Sequence, residues 1–240
     1  MTRKQFLLEN SKKYKKLLKI RYDADGNPIT PYPLMTMREK YLAQEIYKIG
    51  VLDIETTGLG ADFGRMLSWA ILVRDVVTGE ETIRSGVVNE SDHRKAKGDA
   101  DLIDKRITEE LIEAISDLDY LVGHWFIGKR RHDIPFIRSR CAINKVHGFP
   151  KHKMVRYADT QRFSSQLHRL RNNGLGTIAD AYDLAIHKTP VTTKDWKNAQ
   201  QFANRKALRY ILHHNILDVQ ITSKVLKHLE QYIGISSIFA

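Results

Sequence analysis

Two carboxylates lie at the end of the first strongly apolar segment of the chain. The segment IGVLDIETTGL, residues 49–59, places Asp53 and Glu55 on either side of Ile54. Because side chains alternate between the faces of a strand, both carboxylates point to one face and Ile54 points to the other. Two anions this close repel each other unless a cation lies between them. The pattern therefore predicts a divalent metal site at the end of a buried strand.

Two further acids are candidates for the same site. Asp133 follows a predicted strand and a basic loop in LVGHWFIGKRRHDIPFIRSR, and Asp218 lies in the apolar helical segment ALRYILHHNILDVQITSKVL. Each has an alternative role, because Asp133 could be a helix N-cap with Pro135 in the first turn, and Asp218 could face solvent. Two metal ions about 4 Å apart, acting on one phosphate, need roughly four carboxylates from different elements. These acids supply that number.

The elements that would position these acids alternate between strands and helices. A first strand is expected to end at Asp53 and Glu55, and further strands are expected at residues 65–75, 81–88, 119–125 and 154–159. The polar segment 91–101 is expected to be mobile. Helices are expected at residues 107–117 and after His132, and from Thr160 onward, with a long one over residues 205–232. This order predicts an α/β fold with a mixed five-stranded sheet flanked by helices.

The basic balance of the chain favours polyanionic partners. The 240 residues carry a formal net charge of +11, which raises the odds of nucleic-acid binding. Residues 3–20 hold seven Lys or Arg against one acid, in the pattern of a basic helix, and the segment DADGNPITPYP is a turn-rich linker. We therefore expect a basic helical extension over residues 1–45 and a catalytic domain over residues 46–240. With one cysteine, no signal peptide and no membrane-length apolar run, the protein is expected to be cytoplasmic.

Taken together, three separated segments resemble the motifs of the DEDD (DnaQ-like) exonuclease superfamily, which has a ribonuclease H-like fold. They are Asp-x-Glu on the first strand, Gly-His…Asp-x-Pro-Phe in the middle, and His-x-x-x-Asp on the last helix, within about residues 47–230. The resemblance implies a 3′–5′ exonuclease acting on the 3′ end of DNA or RNA with two divalent ions, Mg²⁺ or Mn²⁺. It implies ligands at Asp53, Glu55, Asp133 and Asp218.

The resemblance leaves the general base open between two histidines. One branch of the family has Tyr four residues before the last Asp, and the other has His five before; here those positions hold His214 and His213. Four residues turn a helix by about 400°, so in a continuous helix His214 faces Asp218, whereas five residues give about 500° and point His213 away. If the helix began at Asn215, His213 could swing in from a loop. Either imidazole could accept the proton from the attacking water.

Several substrate contacts are also implied. In the family, the residues after the first motif approach the terminal nucleotide, which makes Thr57, Gly58 and Leu59 candidates here; an ordinary turn is the alternative. The basic run of Lys129, Arg130 and Arg131 is a candidate phosphate clamp, with a solvated loop as the alternative.

Two departures from the family and two other functions remain open. Trp125 and His132 stand where many relatives have Asn and Phe, which puts local substrate contacts in doubt more than the metal site. A nucleic-acid-binding module that no longer cleaves, and a ribonuclease H-like endonuclease on the related sheet, are the alternative functions.

Overall fold

The structure is a computed structural model that describes residues 21–22, 24, 28–29, 36–127, 132–150, 155–186, 188–201 and 204–233. The chain divides into two compact units, Met1–Ile46 and Tyr47–Ala240. The basic helix predicted for residues 3–20 lies outside the described residues. The division of the chain into a basic extension and a catalytic domain stays a prediction.

Within the first unit, the described residues form a strand pair and a short helix. Strands β1 (Arg21–Tyr22) and β2 (Pro28–Ile29) pair antiparallel, and β2 lies within the segment predicted as a turn-rich linker. Helix α1 (Met37–Leu42) begins with a capping box, in which Thr36 and Glu39 satisfy each other's backbone N–H groups.

The second unit is built on a five-stranded mixed sheet with the order β5-β4-β3-β6-β7. Its first three strands are antiparallel neighbours, and β6 and β7 continue from β3 in parallel. The strands are β3 (Lys48–Thr56), β4 (Met66–Asp75), β5 (Glu81–Val87), β6 (Tyr120–Gly123) and β7 (Arg156–Asp159). The predicted mixed five-stranded α/β fold is confirmed.

Helices cover the sheet. They are α2 (Glu90–Lys95), α3 (Lys105–Ile115), α4 (Asp133–Asn144), α5 (Thr160–Leu167), α6 (Leu175–Ala181), α7 (Thr193–Gln200) and α8 (Arg205–Leu229), with a 3-10 turn at Ala100–Leu102. Strand β4 is buried at eight consecutive positions, so both of its faces are covered, as expected for a central strand between helical layers. Helix α8 packs on β3 and β4, and α3 packs on β4 and β5.

Helix α8 gains its stability from an apolar stripe at helical spacing. Leu208, Val219, Leu226 and Leu229 are buried, and each contributes roughly 1.5–3 kcal/mol through the loss of water contact. Asn204 caps the helix by accepting from the backbone N–H of Ala207 at 3.1 Å. The helix then runs without a break to Leu229, so a polar residue on the same face as the stripe is carried toward the sheet.

The segment 91–101 contains most of α2 and of a 3-10 turn that the sequence did not predict, and its mobility stays a prediction. Asn89 caps α2 in a reciprocal capping box with Asp92. Asp92 is 4% exposed and accepts two hydrogen bonds from Arg106, at 2.6 and 2.8 Å. The polar composition of this segment therefore belongs in part to a helix whose Asp92 is buried against Arg106.

No described helix combines the length and the hydropathy that a membrane crossing needs.

Candidate active site

The first pair of carboxylates lies at the carboxyl end of β3. Asp53 and Glu55 are both half-buried and share one face of the strand, as their spacing predicts. The pairing of β3 with β4 shifts register between Glu55 and Thr56, which leaves Leu67 of β4 as an extra residue. Such bulges bend a strand and re-aim its side chains, and they are common beside active sites.

Helix α8 brings the last acid to this strand end. Asp218 and Asn215 are one turn apart on its buried face, and both are almost fully inaccessible. The amide of Asn215 donates to Asp53 Oδ2 at 2.6 Å, which joins two residues 162 positions apart in the chain. The contact fixes α8 against the end of β3 and sets the distance between the two acids.

Glu55, His214 and Asp218 form a compact group. The Nε2 atom of His214 lies 3.7 Å from Glu55 Oε1 and 3.8 Å from Asp218 Oδ2. One nitrogen or oxygen from each of the three residues lies within 4.8 Å of the other two, close enough to share one ion.

Asp133 reaches the same site from α4. It is the first residue of that helix and 4% exposed, and the N-cap is His132, whose side chain makes no capping bond. The alternative that Asp133 itself is the N-cap is therefore wrong. Burial raises the pKa of Asp133 well above its usual range, and the nearby Asp53 and Glu55 charges raise it further.

His132 links the first two motifs to each other. The hydroxyl of Thr56, the last residue of β3, donates to the carbonyl of Gly58 at 2.9 Å and lies 3.1 Å from His132 Nε2. Because a hydroxyl has a single hydrogen to donate, Thr56 accepts from the imidazole N–H. His132 thus holds the start of α4 beside the end of β3.

Three carboxyl groups of the site, those of Asp53, Glu55 and Asp133, have raised pKa values, because they are buried close to one another. Burial and the Asp218 charge raise the pKa of Asp53 to about 8, although the Asn215 hydrogen bond opposes the shift. Burial and the charges of Asp53 and Asp218 also raise the pKa of Glu55 well above its usual range. Strongly shifted carboxyl groups in one cluster are a feature of functional sites.

The two histidines occupy different environments. In the continuous helix α8, His214 is 8% exposed and faces the acids, whereas His213 is exposed and lines a groove with Pro190, Asp195 and Tyr210. Burial lowers the pKa of His214 below its usual value, although the Asp218 charge opposes that shift. His214 is therefore neutral at pH 7, and its contacts with the two carboxylates are not ion pairs there.

Three residues of the site were missed by sequence reasoning. Lys188 places Nζ 2.5 Å from Asp218 Oδ2, and Thr189 places Oγ1 2.8 Å from His214 Nδ1. The third is Asn215. Its position three residues before Asp218 is a helical signal that could have identified it. Lys188 and Thr189 lie in a loop, and no spacing rule relates them to α8.

The candidate substrate contacts surround the strand end. Thr57 and Arg65 are joined by a backbone hydrogen bond of 2.9 Å, and the Thr57 hydroxyl accepts from Arg65 N at 2.9 Å, which closes the loop. Gly58 and Leu59 project from this loop, and Leu59 is 87% exposed. The roles of Thr57, Gly58 and Leu59 stay predictions. Lys129, Arg130 and Arg131 lie outside the described residues.

The donor set fits a hard divalent cation. Asp133 Oδ2 and Asp218 Oδ1 are buried and have no hydrogen-bond partner within the described part of the chain. Buried carboxylate oxygens normally have partners, so unpaired ones imply a bound group. Carboxylate oxygens suit Mg²⁺ or Mn²⁺ better than the softer metals. Asp53, Glu55, Asp133 and Asp218 would hold such ions.

Comparison with protein families agrees with this architecture. A family model for the RNase_H superfamily matches residues 51–230. This span begins in β3 and ends just after α8, so it contains every acid of the site. No curated protein sequence matches the chain.

Comparison with solved structures gives matches at low sequence identity. The family B DNA polymerase from the hyperthermophilic archaeon Pyrobaculum calidifontis aligns with a TM-score of 0.53 and 16% identity, over 76% of this chain and 24% of the polymerase. The chain thus spans about a quarter of that protein's length. Exonuclease X in complex with 5′ overhanging duplex DNA aligns with a TM-score of 0.43 and 14% identity, over 80% and 97% of the two chains. A full-length 3′-exonuclease gives 0.48 and 10%, over 81% and 84%.

Proposed function

This chain belongs to the RNase_H superfamily, and we propose that it is a metal-dependent 3′–5′ exonuclease that hydrolyses DNA or RNA from the 3′ end. The fold is a nuclease fold, and the proposal adds the reaction, its direction and the residues that perform it. The excess of basic residues supports a polyanionic substrate.

One observation carries the proposal. Three elements remote in the chain, β3, α4 and α8, direct four carboxylates and one neutral histidine into a single cluster, and two of the carboxylate oxygens are buried without a partner in the described residues. A protein that only bound nucleic acid would gain nothing from this, because clustered acids repel phosphate. Acids that must be neutralised by divalent ions are expected in a phosphodiester hydrolase.

The residues divide the work by their chemistry. Asp53, Glu55, Asp133 and Asp218 hold the ions, and divalent ions of this kind supply Lewis-acid stabilisation of the charge that develops at the phosphate. His214 acts as the general base. With Nδ1–H donated to the Thr189 hydroxyl at 2.8 Å, Nε2 carries the lone pair that accepts a proton from the attacking water.

Exposed apolar residues in the loop after β3 are candidate contacts for the terminal nucleotide. The loop after β3 presents Gly58, Leu59 and Phe63, of which Leu59 is 87% and Phe63 84% exposed. Exposed apolar side chains beside an acid cluster suit contact with the faces of terminal bases, since base stacking tolerates every sequence.

The test is a product analysis with end-labelled oligonucleotides. Single-stranded DNA and RNA, each labelled at the 5′ end, are incubated with the full chain and Mg²⁺, Mn²⁺ or a chelator. A 3′–5′ exonuclease gives a ladder that shortens one nucleotide at a time, releases nucleoside monophosphates and stops when the chelator is added. A covalently closed single-stranded circle serves as the matched substrate without ends.

The alternatives give different products. Cleavage of the circle, or fragments of internal length at the earliest times, would identify an endonuclease and reject the exonuclease proposal. Binding of the oligonucleotides without any metal-dependent cleavage would identify a binding module.

A further inference from the structure

Lys188 places a positive charge inside the acid cluster, and the proposed reaction gives this charge no role. Its ammonium nitrogen lies 2.5 Å from Asp218 Oδ2, while Oδ1 of the same carboxylate is buried and lacks a partner in the described residues. The Lys188 side chain is 35% exposed and that of Asp218 is 7% exposed. The ammonium therefore reaches the buried acid from the solvent side.

The loop that carries Lys188 is fastened to α8 beside the contact. Thr189 Oγ1 lies 2.8 Å from His214 Nδ1, and the Tyr210 hydroxyl donates to the carbonyl of Pro190 at 2.5 Å. The two residues that follow Lys188 are thus both bound to the helix that carries Asp218. This anchoring gives Lys188 a defined place in the site rather than that of a long side chain sampling solvent.

One ammonium cannot balance the cluster by itself. The Lys188 ammonium contacts one oxygen of Asp218, so a single positive charge faces the carboxyl groups of Asp53, Glu55, Asp133 and Asp218. Divalent ions would satisfy the acids better, and they need the carboxylate oxygens of Asp218. An ammonium has three donors and no lone pair, so it cannot share a metal. Its positive charge also repels a divalent ion held on the same carboxylate, so Lys188 and the ion compete for Asp218.

A displaced Lys188 needs another anion. Its four-carbon stem is flexible and its side chain already has access to solvent. In a nuclease, the anion that arrives beside the metal ligands is a phosphate of the nucleic-acid strand, and Lys is a common phosphate binder.

We propose that Lys188 is an exchangeable counter-cation: it neutralises Asp218 in the metal-free protein, competes with the divalent ion for that carboxylate, and passes to a phosphate oxygen of the substrate when the ion binds. The substrate part of this inference rests on the proposed nuclease function. Metal and nucleic acid then bind with positive coupling. A bound ion releases Lys188 to contact a phosphate, and a phosphate that holds Lys188 leaves Asp218 free for the ion.

The experiment measures Mn²⁺ affinity by electron paramagnetic resonance on the full chain, with and without a single-stranded oligonucleotide whose phosphorothioate linkages resist hydrolysis. Without the oligonucleotide, Lys188→Met is expected to bind Mn²⁺ about tenfold more tightly than the wild type, because the ion no longer displaces or repels an ammonium. With the oligonucleotide, the two proteins are expected to differ little. The enhancement of Mn²⁺ binding by the oligonucleotide is therefore about tenfold smaller in Lys188→Met.

The control is Lys194→Met, which removes an exposed lysine from α7 and should match the wild type in both titrations. Lys188→Gln provides a second neutral variant if Lys188→Met does not fold, as judged by circular dichroism. Unchanged or weaker Mn²⁺ binding in a folded neutral variant would overturn the competition. Tighter binding with an undiminished enhancement by the oligonucleotide would overturn the transfer to phosphate.

The two proposals fail in different ways. Mn²⁺ titration without nucleic acid does not depend on hydrolysis, so a tenfold gain in a protein that cleaves no substrate would reject the exonuclease function and retain the competition at Asp218. Ordinary 3′-end cleavage together with unchanged Mn²⁺ affinity in Lys188→Met would reject the role of Lys188 alone.

Discussion

Buried carboxylates in two regions of this protein differ in how their charge is balanced. Asp104 is fully buried and accepts from Met66 N at 2.8 Å, from Asn144 at 2.9 Å and from two nitrogens of Arg140 at 2.7 and 2.9 Å. In the candidate site, Asp133 and Asp218 are as deeply buried, but each keeps one oxygen without a partner among the described residues. The same side chain is thus fully satisfied in one region and left incomplete in the other.

The hydrogen-bonded Asp104 contributes to stability, whereas the acids of the candidate site are arranged for function. A buried acid with a bidentate arginine and further donors is compensated for its loss of water, whereas an uncompensated one lowers stability and is expected where a ligand completes it. The complete group also positions the incomplete one. Arg140 donates to the carbonyls of Ala61 and Asp101 at 3.0 and 2.7 Å, and it lies in α4, the helix that begins with Asp133. The ion pair therefore fastens the loop after β3 to the helix that delivers the third acid.

The largest expected effect is loss of hydrolysis on changing an acid of the site. Asp53→Asn keeps the shape of the side chain and an oxygen that can accept from Asn215, but it removes the charge that holds divalent ions. We expect 3′-end hydrolysis to fall below detection, with an unchanged far-ultraviolet circular dichroism spectrum. Asp117→Asn, at a surface ion pair with Arg84, is the control and should keep full activity. Full activity in Asp53→Asn would remove Asp53 from the mechanism.

A change in the group around Asp104, whose carboxylate is fully hydrogen-bonded, should lower the stability of the fold. Arg140→Met leaves Asp104 buried without its arginine, which is expected to lower the free energy of unfolding by about 3–5 kcal/mol. Urea unfolding measures the change. Arg138→Met, in the same helix, removes a half-buried arginine whose guanidinium lies 5.3 Å from the centre of the Phe149 ring, and should cost about 1 kcal/mol. Equal losses in the two variants would contradict the distinction between the two groups.

Much of the fold and part of the site could be predicted from the sequence, because periodicity within one element is visible in one segment. The alternation at Asp53 and Glu55 and the four-residue spacing of His214 and Asp218 depend only on strand and helix geometry. The structure places each pair on one face of its element, as the spacings predict, and the packing of α8 on β3 brings the two pairs together.

The rest depends on contacts between segments, which local patterns do not encode. Arg140 looks like a surface residue in the run RSRC, and its burial is decided by Asp104, which lies 36 residues earlier. Lys188 is one polar residue in a loop, and only the path of that loop across α8 brings it to Asp218. Charged residues with distant partners are therefore the ones that sequence reasoning missed in both groups.

Substitution of the two histidines distinguishes which of them acts with the acids of the candidate site. His214→Ala should lower the rate of hydrolysis by about a hundredfold or more, because it removes the proposed proton acceptor. His213→Ala, one residue earlier on the exposed face of α8, should change the rate by less than about twofold, as surface substitutions usually do. Single-turnover rates under saturating metal provide the comparison. The reverse order of effects would contradict the assignment of His214 as the base.

The smallest effect is a pH dependence of stability that only the incomplete group should produce. The ordinary pKa of Asp53 is 3.8 and its pKa in the folded protein is about 8, so between these values the folded chain keeps a proton that the unfolded chain has lost. Because the folded state binds more protons there, its stability falls as the pH rises. Each such proton is worth about 1.4 kcal/mol per pH unit, so Asp53 alone should lower the free energy of unfolding by about 2 kcal/mol between pH 6 and pH 7.5 in the presence of a chelator.

Glu55 and Asp133 also have raised pKa values, so Asp53→Asn is expected to reduce this slope in chelator rather than abolish it. Excess Mn²⁺ should flatten the dependence in the wild type, because a bound ion favours the ionised carboxylates. Urea unfolding at several pH values gives both slopes. A slope in chelator that is the same for the wild type and Asp53→Asn would mean that Asp53 is already neutralised within the protein. The contrast with the complete group around Asp104 would then no longer hold.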